Sequence, residues 1–403
     1  MKTNIQLKFR LSVVKGHRGT LCYQVQCDGV SHQFTSHYRI AADEWDVQRR
    51  TLLRASSSAL RSVYLESLSR WVQRDMQRLS FHVAGYQARG ITSFSEWLVD
   101  ELHTLLQKHP LNRFAEEVVA ELYRTGHVRT AETYRTTLNS LNRFVQGEEV
   151  MLEDLDAEFL QAYECYLHRT GIVPNTISFY MRRLRALYNR ALERFHFEDR
   201  NPFRRVYTAS ERTVKRAIPL KHLKQLKALN LTGSPSKQYA RDMFLFSFYT
   251  RGMSFIDMAY LKKANLRNGI LTYRRSKTGQ SLTLQWEPCM QQILDRYPSR
   301  SSSEYLFPII CYSQSDKRNQ YKNALARINR SLKELGRTIG LSAPLTMYVA
   351  RHSWASIAHS EGIPLSVISQ GMGHESEKTT RIYLASLDNA VIDNANKKIL
   401  QLI

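Results

Sequence analysis

The stretch Leu345–Leu384, LTMYVARHSWASIAHSEGIPLSVISQGMGHESEKTTRIYL, decides how the rest of the chain is read. An Arg-His pair, Arg351 and His352, opens an amphipathic run. Met372-Gly373-His374 follows, then the paired threonines Thr379 and Thr380, then Tyr383 nine residues after the histidine. Each residue alone is ordinary. Tyr383 is one of 21 tyrosines, a lone Arg usually lies on a surface or at a helix end, and a His after a Gly fits a turn. In that order they describe a site that binds a phosphate and attacks it with a phenol.

The chemistry sets the residue types. A phosphodiester undergoing displacement carries charge on its non-bridging oxygens. Guanidinium binds such oxygens bidentately and stays charged at any working pH. A tyrosine with its pKa near 10 needs activation or a strong field to act as a nucleophile. His and Lys add hydrogen bonds and move protons. A site of Arg, His, Lys and Tyr without a carboxylate cluster can cleave DNA without a metal and keep the bond energy in a Tyr–DNA link.

In these residues the chain resembles the tyrosine recombinase (phage-integrase) family. The family pattern is H-x-x-R-H, then L-G-H, then T-T-x-x-Y; here it reads Y-V-A-R-H, M-G-H and T-T-R-I-Y. The resemblance implies that Arg351 binds the scissile phosphate, His374 supports it and Tyr383 attacks it. Tyr348 stands where the family has His. It can donate a hydrogen bond but is a poor general base near pH 7.

Upstream, Thr250-Arg-Gly-Met-Ser-Phe-Ile-Asp-Met258 resembles the family's T-G-L-R-x-x-E-L box, with Ser254 at the place of its Arg. A helix is predicted through 240–261, which sets Arg251 about one turn before Ser254. On that footing Arg251 is expected as the first phosphate-binding Arg; the alternative is that it pairs with a local carboxylate and the site uses one Arg. Integrases of gut-bacterial conjugative and mobilisable elements are similar in this box. Residues 270–286 alternate on both sides of Lys277-Thr278-Gly279, which predicts a β-hairpin. The family carries its catalytic Lys on such a hairpin, so the resemblance implies that Lys277 protonates the leaving 5′ oxygen. Arg274 and Arg275 fit that place less well.

The remaining second half predicts helices at Leu220–Leu226 and at about 319–339, the latter bearing Lys322, Arg327, Arg330 and Lys333. After Tyr383, Val391, Ile392, Ile399, Leu400 and Leu402 either cap their own domain or, as the family implies, dock on a neighbouring subunit.

The first half divides by period. Ile5, Leu7, Phe9, Leu11 and Val13 alternate, as do Leu21, Tyr23, Val25 and Cys27; Phe34 marks a third strand, with turn signals at 15–19 and at Asp28-Gly29. Lys8, Arg10, Lys15 and Arg18 make this small sheet basic. It is either a generic β module or a DNA-gripping arm, and the family resemblance favours the arm. From Ser56 to His82 the period becomes helical. A helical region follows, with Phe94, Trp97 and Leu98 opening one helix and Thr130 expected to cap another. Pro174-Asn175-Thr176 opens a long helix whose outer faces carry Arg182, Arg183, Arg185, Arg190 and Arg194. These form either a solvated face or, in a family that clamps duplex DNA, phosphate contacts. Residues 198–217 lack periodicity and carry six basic side chains, among them Arg204, Arg205, Lys215 and Arg216, which reads as a basic linker along DNA.

Composition agrees with a polyanionic partner. The 403 residues carry 58 basic and 36 acidic side chains, a net charge of +22, and 43% are apolar, ample for two or three cores. The five cysteines are scattered without a CxxC pair, so neither a zinc site nor a disulfide framework is expected. The N-terminus reads as no signal peptide and no apolar run of spanning length occurs, so a cytoplasmic, nucleoid-associated protein is expected.

The expected fold is mixed and mostly α: an arm-site DNA-binding domain with a packing helix (1–92), a helical SAM-like core-binding domain (93–202), a basic linker (203–217) and an α+β catalytic domain with a C-terminal tail (218–403). The function implied is site-specific recombination, integrating and excising a mobile element. It would act through a 3′-phosphotyrosine, as a homotetramer on double-stranded DNA attachment sites, with an accessory DNA-bending protein as a further partner. No metal, cofactor or membrane is implied. The alternatives are a non-catalytic sequence-specific DNA-binding relative, favoured by Ser254 and Tyr348, and a type IB topoisomerase-like enzyme.

Overall fold

The computed structural model describes residues 4–27, 30–53, 58–88, 96–211, 217–299, 301–312, 316–374, 376–377, 380–381 and 400. They fall into two compact units, Met1–Arg212 and Thr213–Ile403. The fold is mostly α with small antiparallel sheets, as the hydrophobic periods predict.

In the first unit, β1 (Asn4–Arg10), β2 (Gly19–Cys27) and β3 (Val30–Ile40) form an antiparallel meander. The first strand stops at Arg10, short of the predicted Leu11 and Val13, which are exposed. The inner face of Leu7, Leu21, Tyr23, Val25, Phe34, Tyr38 and Ile40 is buried. A two-residue ribbon, β4 (Trp45–Asp46) and β5 (Thr51–Leu52), leads to the 30-residue α1 (Ala59–Ala88). Its stripe of Tyr64, Leu68, Trp71, Val72 and Leu79 is buried, as expected of an apolar residue every three to four positions.

Five helices complete the unit: α2 (Glu96–Leu106), α3 (Leu111–Arg124), α4 (Val128–Phe144), α5 (Ala157–Arg169) and α6 (Pro174–Phe195). Thr130 does not cap α4; His127 holds that position, and the Thr130 carbonyl accepts a hydrogen bond from the Thr133 hydroxyl. Asp156 caps α5 through the Phe159 amide, and Pro174 starts α6, where its missing N–H removes no helix bond. Residues 202–211 run back along α5 and α6: Phe203 and Val206 are buried, and the Ala209 carbonyl accepts from Ser178.

A single core extends from Leu7 to Val206, so the sheet and the helices share one interior. A buried polar knot ties them. Lys108 Nζ lies 2.8 Å from Asp75 Oδ2 and 2.7 Å from Asp154 Oδ1. The Tyr23 hydroxyl donates to Asp75 at 2.8 Å, and that of Tyr38 to Asp154 at 2.7 Å. Burial pushes both phenols well above their ordinary range, so they remain donors. Removing one member of a buried ion set of this kind is costly, because it leaves the remaining charge uncompensated.

In the second unit α8 (Pro235–Tyr249) is central. Ala240–Ser247 is buried, and the helix packs against α7 (Leu220–Ala228), α10 (Pro288–Arg296), α11 (Lys317–Thr338) and α12 (Met347–Ser360). The short α9 (Phe255–Ala259) precedes a three-stranded antiparallel sheet, β6 (Leu266–Arg267), β7 (Ile270–Arg274) and β8 (Ser281–Gln285). The predicted helix over 240–261 is two helices. Arg251 (φ 59°) and Gly252 (φ 74°) are left-handed, and the Gly252 amide bonds back to the Ser247 carbonyl at 2.8 Å. That is a Schellman-type stop. Arg251 is therefore not one helical turn ahead of Ser254. After α12 comes α13 (Leu365–Met372).

Candidate active site

Arg351 projects from the second turn of α12 and is 5% exposed. Its Nη1 donates to the Gly252 carbonyl at 2.9 Å and its Nη2 to the Met372 carbonyl at 2.6 Å. Those carbonyls belong to the C-terminal turns that follow α8 and α13. The guanidinium thus sits against the negative ends of two helices, a field that stabilises a buried cation.

His374 reaches the same point through a second helix stop. Gly373 is left-handed (φ 63°), and the His374 amide bonds back to the Ser369 carbonyl at 3.0 Å. A Cβ at Gly373 would meet Arg275 Cδ at 2.9 Å and Leu282 Cδ1 at 3.0 Å, so only glycine fits. His374 Nε2 is 3.0 Å from Arg351 Nη2, and its Nδ1 is 2.8 Å from the hydroxyl of Thr380. Burial, then the charges of Arg351, Arg275 and Lys277, lower the imidazole to about 4. His374 is therefore neutral at neutral pH.

The hairpin supplies the other cations. Lys277 is exposed in the turn between β7 and β8, as predicted. Arg275, given second rank on the sequence, is buried at 7% exposure, and its guanidinium donates to the Gly373 carbonyl. Arg251 is half-buried, with Nη1 3.4 Å from the Thr283 carbonyl and its side chain beside Gly371 of α13. Arg275 stands with Arg351 and Lys277 among the charges that act on His374.

Ser254 has a different task. Its hydroxyl caps α9 and donates to Asp257 Oδ2 at 2.6 Å, while Asp257 Oδ1 accepts the Ser276 amide at 2.8 Å. The Asp257 carboxylate thereby fastens the hairpin turn, and with it Arg275 and Lys277, to α9. Tyr348, one turn before His352 on α12, is 59% exposed and stands edge-on to the His352 ring at 4.7 Å. It borders a cavity of about 300 Å³ with Ser254, Tyr321, Asn329 and Arg351. Tyr383 and Thr379 lie outside the described residues.

Comparison with known proteins settles the family. Residues 218–390 match the family model described as "Phage integrase family", and residues 110–209 match the "Phage integrase SAM-like domain". The chain belongs to the phage integrase family of tyrosine recombinases. Among curated members of this family it is 31% identical over 152 residues to "Tyrosine recombinase XerA" of Pyrococcus furiosus, covering 36% of this chain and 51% of that protein. The matched region thus spans about half the length of that relative. Among solved structures, the lambda integrase dimer bound to a COC′ core site has a TM-score of 0.56 at 14% identity, covering 90% of this chain and 91% of that one. The lambda integrase tetramer bound to a Holliday junction has a TM-score of 0.53 at 16% identity, covering 69% and 78%. These likenesses extend the integrase assignment to the fold.

Of the arginines singled out on the SAM-like side, α6 distributes them unequally. Arg190 pairs with Glu121 at 3.0 Å and Arg194 with Glu117 at 2.8 Å. Arg183 lies over the Tyr134 and Phe179 rings, and Arg182 reaches the Thr208 carbonyl at 3.4 Å. Arg185 is exposed and pairs with no carboxylate among the described residues. Arg204 is exposed, and Arg205 stands 3.4 Å from Glu158. Lys215 and Arg216 lie outside the described residues. Arg275, Gly252 and Asp257 are the site residues that sequence reasoning undervalued. The doublet Arg274-Arg275 beside Lys277 was the available signal: alternation along β7 puts only one of the two inward.

Proposed function

We propose that this chain is a site-specific DNA recombinase that cleaves and rejoins duplex DNA through a 3′-phosphotyrosine on Tyr383. The observation that carries the reading is the convergence of Arg351, Arg275 and neutral His374, with Lys277 on the adjoining turn, in a domain of the integrase family. Arg351 and Arg275 hold the non-bridging oxygens of the scissile phosphate. Their charge counts most as the pentavalent phosphorus forms, where preorganised donors are each worth about 10²–10³ in rate. The Tyr383 oxygen bonds to phosphorus as the bond to the 5′ oxygen breaks. The phenolic proton goes to solvent, and the Lys277 ammonium gives one to the leaving oxygen. Phosphodiester is exchanged for phosphodiester, so the reverse attack by a partner strand's 5′-hydroxyl reseals the DNA without an energy source.

The segments read from sequence take parts in this scheme: 1–92 as the arm-site module, 93–202 as the core-binding module, 203–217 as the linker and 218–403 as the catalytic domain. Arg185 and Arg204 are the best-placed backbone contacts of the first unit. The tetramer that lambda integrase forms on a Holliday junction supports four-fold assembly here, on the attachment sites of a mobile element. The DNA-bending partner and nucleoid association follow from the same reading.

The test is a nicked attachment-site duplex incubated with the protein in chelator, resolved on a denaturing gel. A protein–DNA adduct that is lost in Tyr383→Phe supports the mechanism. Specific binding without an adduct sinks it and leaves a DNA-binding protein.

A further inference from the structure

The paired threonines before the nucleophile have no role in the scheme above, yet the second is fully buried against the site. We propose that Thr380 is a positioning residue: its hydroxyl holds His374 in the Nδ1–H tautomer, so that the Nε2 lone pair accepts from Arg351 and fixes the phosphate-binding guanidinium.

Donor and acceptor chemistry gives the argument. Arg351 Nη2 is 3.0 Å from His374 Nε2. A guanidinium has donors and no acceptor, so Nε2 must present a lone pair. A neutral imidazole keeps one N–H, which then sits on Nδ1. That nitrogen is 2.8 Å from Thr380 Oγ1, and a hydroxyl oxygen can accept it. Thr380 is 0% exposed. Among the described residues, the charged groups that act on the ring are Arg351 on α12 and Arg275 and Lys277 on the hairpin; all three are cations and oppose a second proton. The opposite tautomer would aim an N–H at the Arg351 N–H and push the guanidinium off its two carbonyls. The orienting of one ring nitrogen by the partner of the other is a general property of functional histidines.

The effect of this contact on cleavage rests on the recombinase reading; the tautomer does not. The experiment therefore has two arms on the full-length chain. First, the ¹⁵N shifts of the His374 side chain are read at pH 7, with the resonance assigned by its loss in His374→Gln. A protonated Nδ1 and a bare Nε2 are expected in the wild type and in Thr380→Ser. Thr380→Val is expected to lose that pattern. Second, single-turnover adduct formation on the nicked duplex should fall about 10- to 100-fold in Thr380→Val, as for a misplaced catalytic group, and be rescued by Thr380→Ser with DNA affinity unchanged.

A wild-type spectrum with the proton on Nε2 overturns the proposal, even if the valine variant fails to fold. So does a folded Thr380→Val that keeps both the wild-type tautomer and the wild-type rate. A wild type with the expected tautomer that forms no adduct overturns the recombinase reading and leaves the tautomer lock standing.

Discussion

The carbonyl of Gly252 accepts Nη1 of Arg351 at 2.9 Å, and the Gly252 Cα lies so near α12 that an added Cβ would stand 2.7 Å from Arg351 Cα. The stop of one helix is thus the seat of Arg351 on another. Gly252→Ala is expected to strain the left-handed backbone by about 1–3 kcal/mol and to displace the guanidinium as well. Urea unfolding should show the loss of stability, and adduct formation should fall further than stability alone explains. An alanine variant with wild-type cleavage would show that this contact does not set Arg351.

The two candidate second arginines separate cleanly. Arg275→Ala is expected to lower single-turnover cleavage about 10²–10³-fold, the usual loss for one preorganised donor. Arg251→Gly should cleave much more nearly like the wild type. It should also gain about 0.5–1 kcal/mol, because glycine adopts φ 59° without the penalty that Arg251 bears. The reverse ranking would return the first-arginine role to Arg251.

Protonation of His374 gives a pH signature. Its folded value of about 4 lies below the ordinary 6.5. The unfolded chain therefore binds more protons between those values. The stability tied to the neutral ring is complete above about pH 6.5 and is lost as pH falls toward about 4. His374→Gln should flatten that part of the stability–pH curve, as measured by thermal melts in matched ionic strength. Equal slopes in the two proteins would mean that the ring titrates normally.

In the first unit, Lys108→Met leaves Asp75 and Asp154 buried without their cation. Breaking one member of such a set costs about 3–5 kcal/mol. Changing Asp154→Asn in the same chain should recover part of that loss, since one fewer buried charge remains. Because Tyr23 and Tyr38 of the sheet bond to these carboxylates, hydrogen exchange in β2 and β3 should rise together with that in α1.

Among the α6 arginines, Arg185→Ala should weaken binding to attachment-site DNA and lower the salt slope of log K by about 1, as the loss of one phosphate contact does. Arg190→Ala and Arg194→Ala should leave the slope unchanged, because Glu121 and Glu117 already neutralise those side chains. Equal effects from all three would mean that the ion pairs open on DNA.

The sequence by itself determined what local pattern can carry. Alternation in β1–β3 and around Lys277, the apolar stripe of α1, and the proline start of α6 are short-range signals that the structure reproduces. The order Arg351, His374, Tyr383 pointed to the family that the comparison shows, because those residue types suit few other tasks at that spacing. What only the tertiary structure decided was that Arg275 joins Arg351 beside His374. The sequence places Arg251 close to Ser254, but two left-handed residues turn the chain there. Arg275, far away along the chain, is brought to His374 by strand pairing and by Asp257 anchoring its turn. The joining of the N-terminal sheet to the helical bundle was likewise invisible, since Lys108, Asp75 and Asp154 look like surface charges until folding buries them together. A backbone period is written residue by residue, whereas the meeting of charges distant in sequence depends on packing that no local pattern encodes.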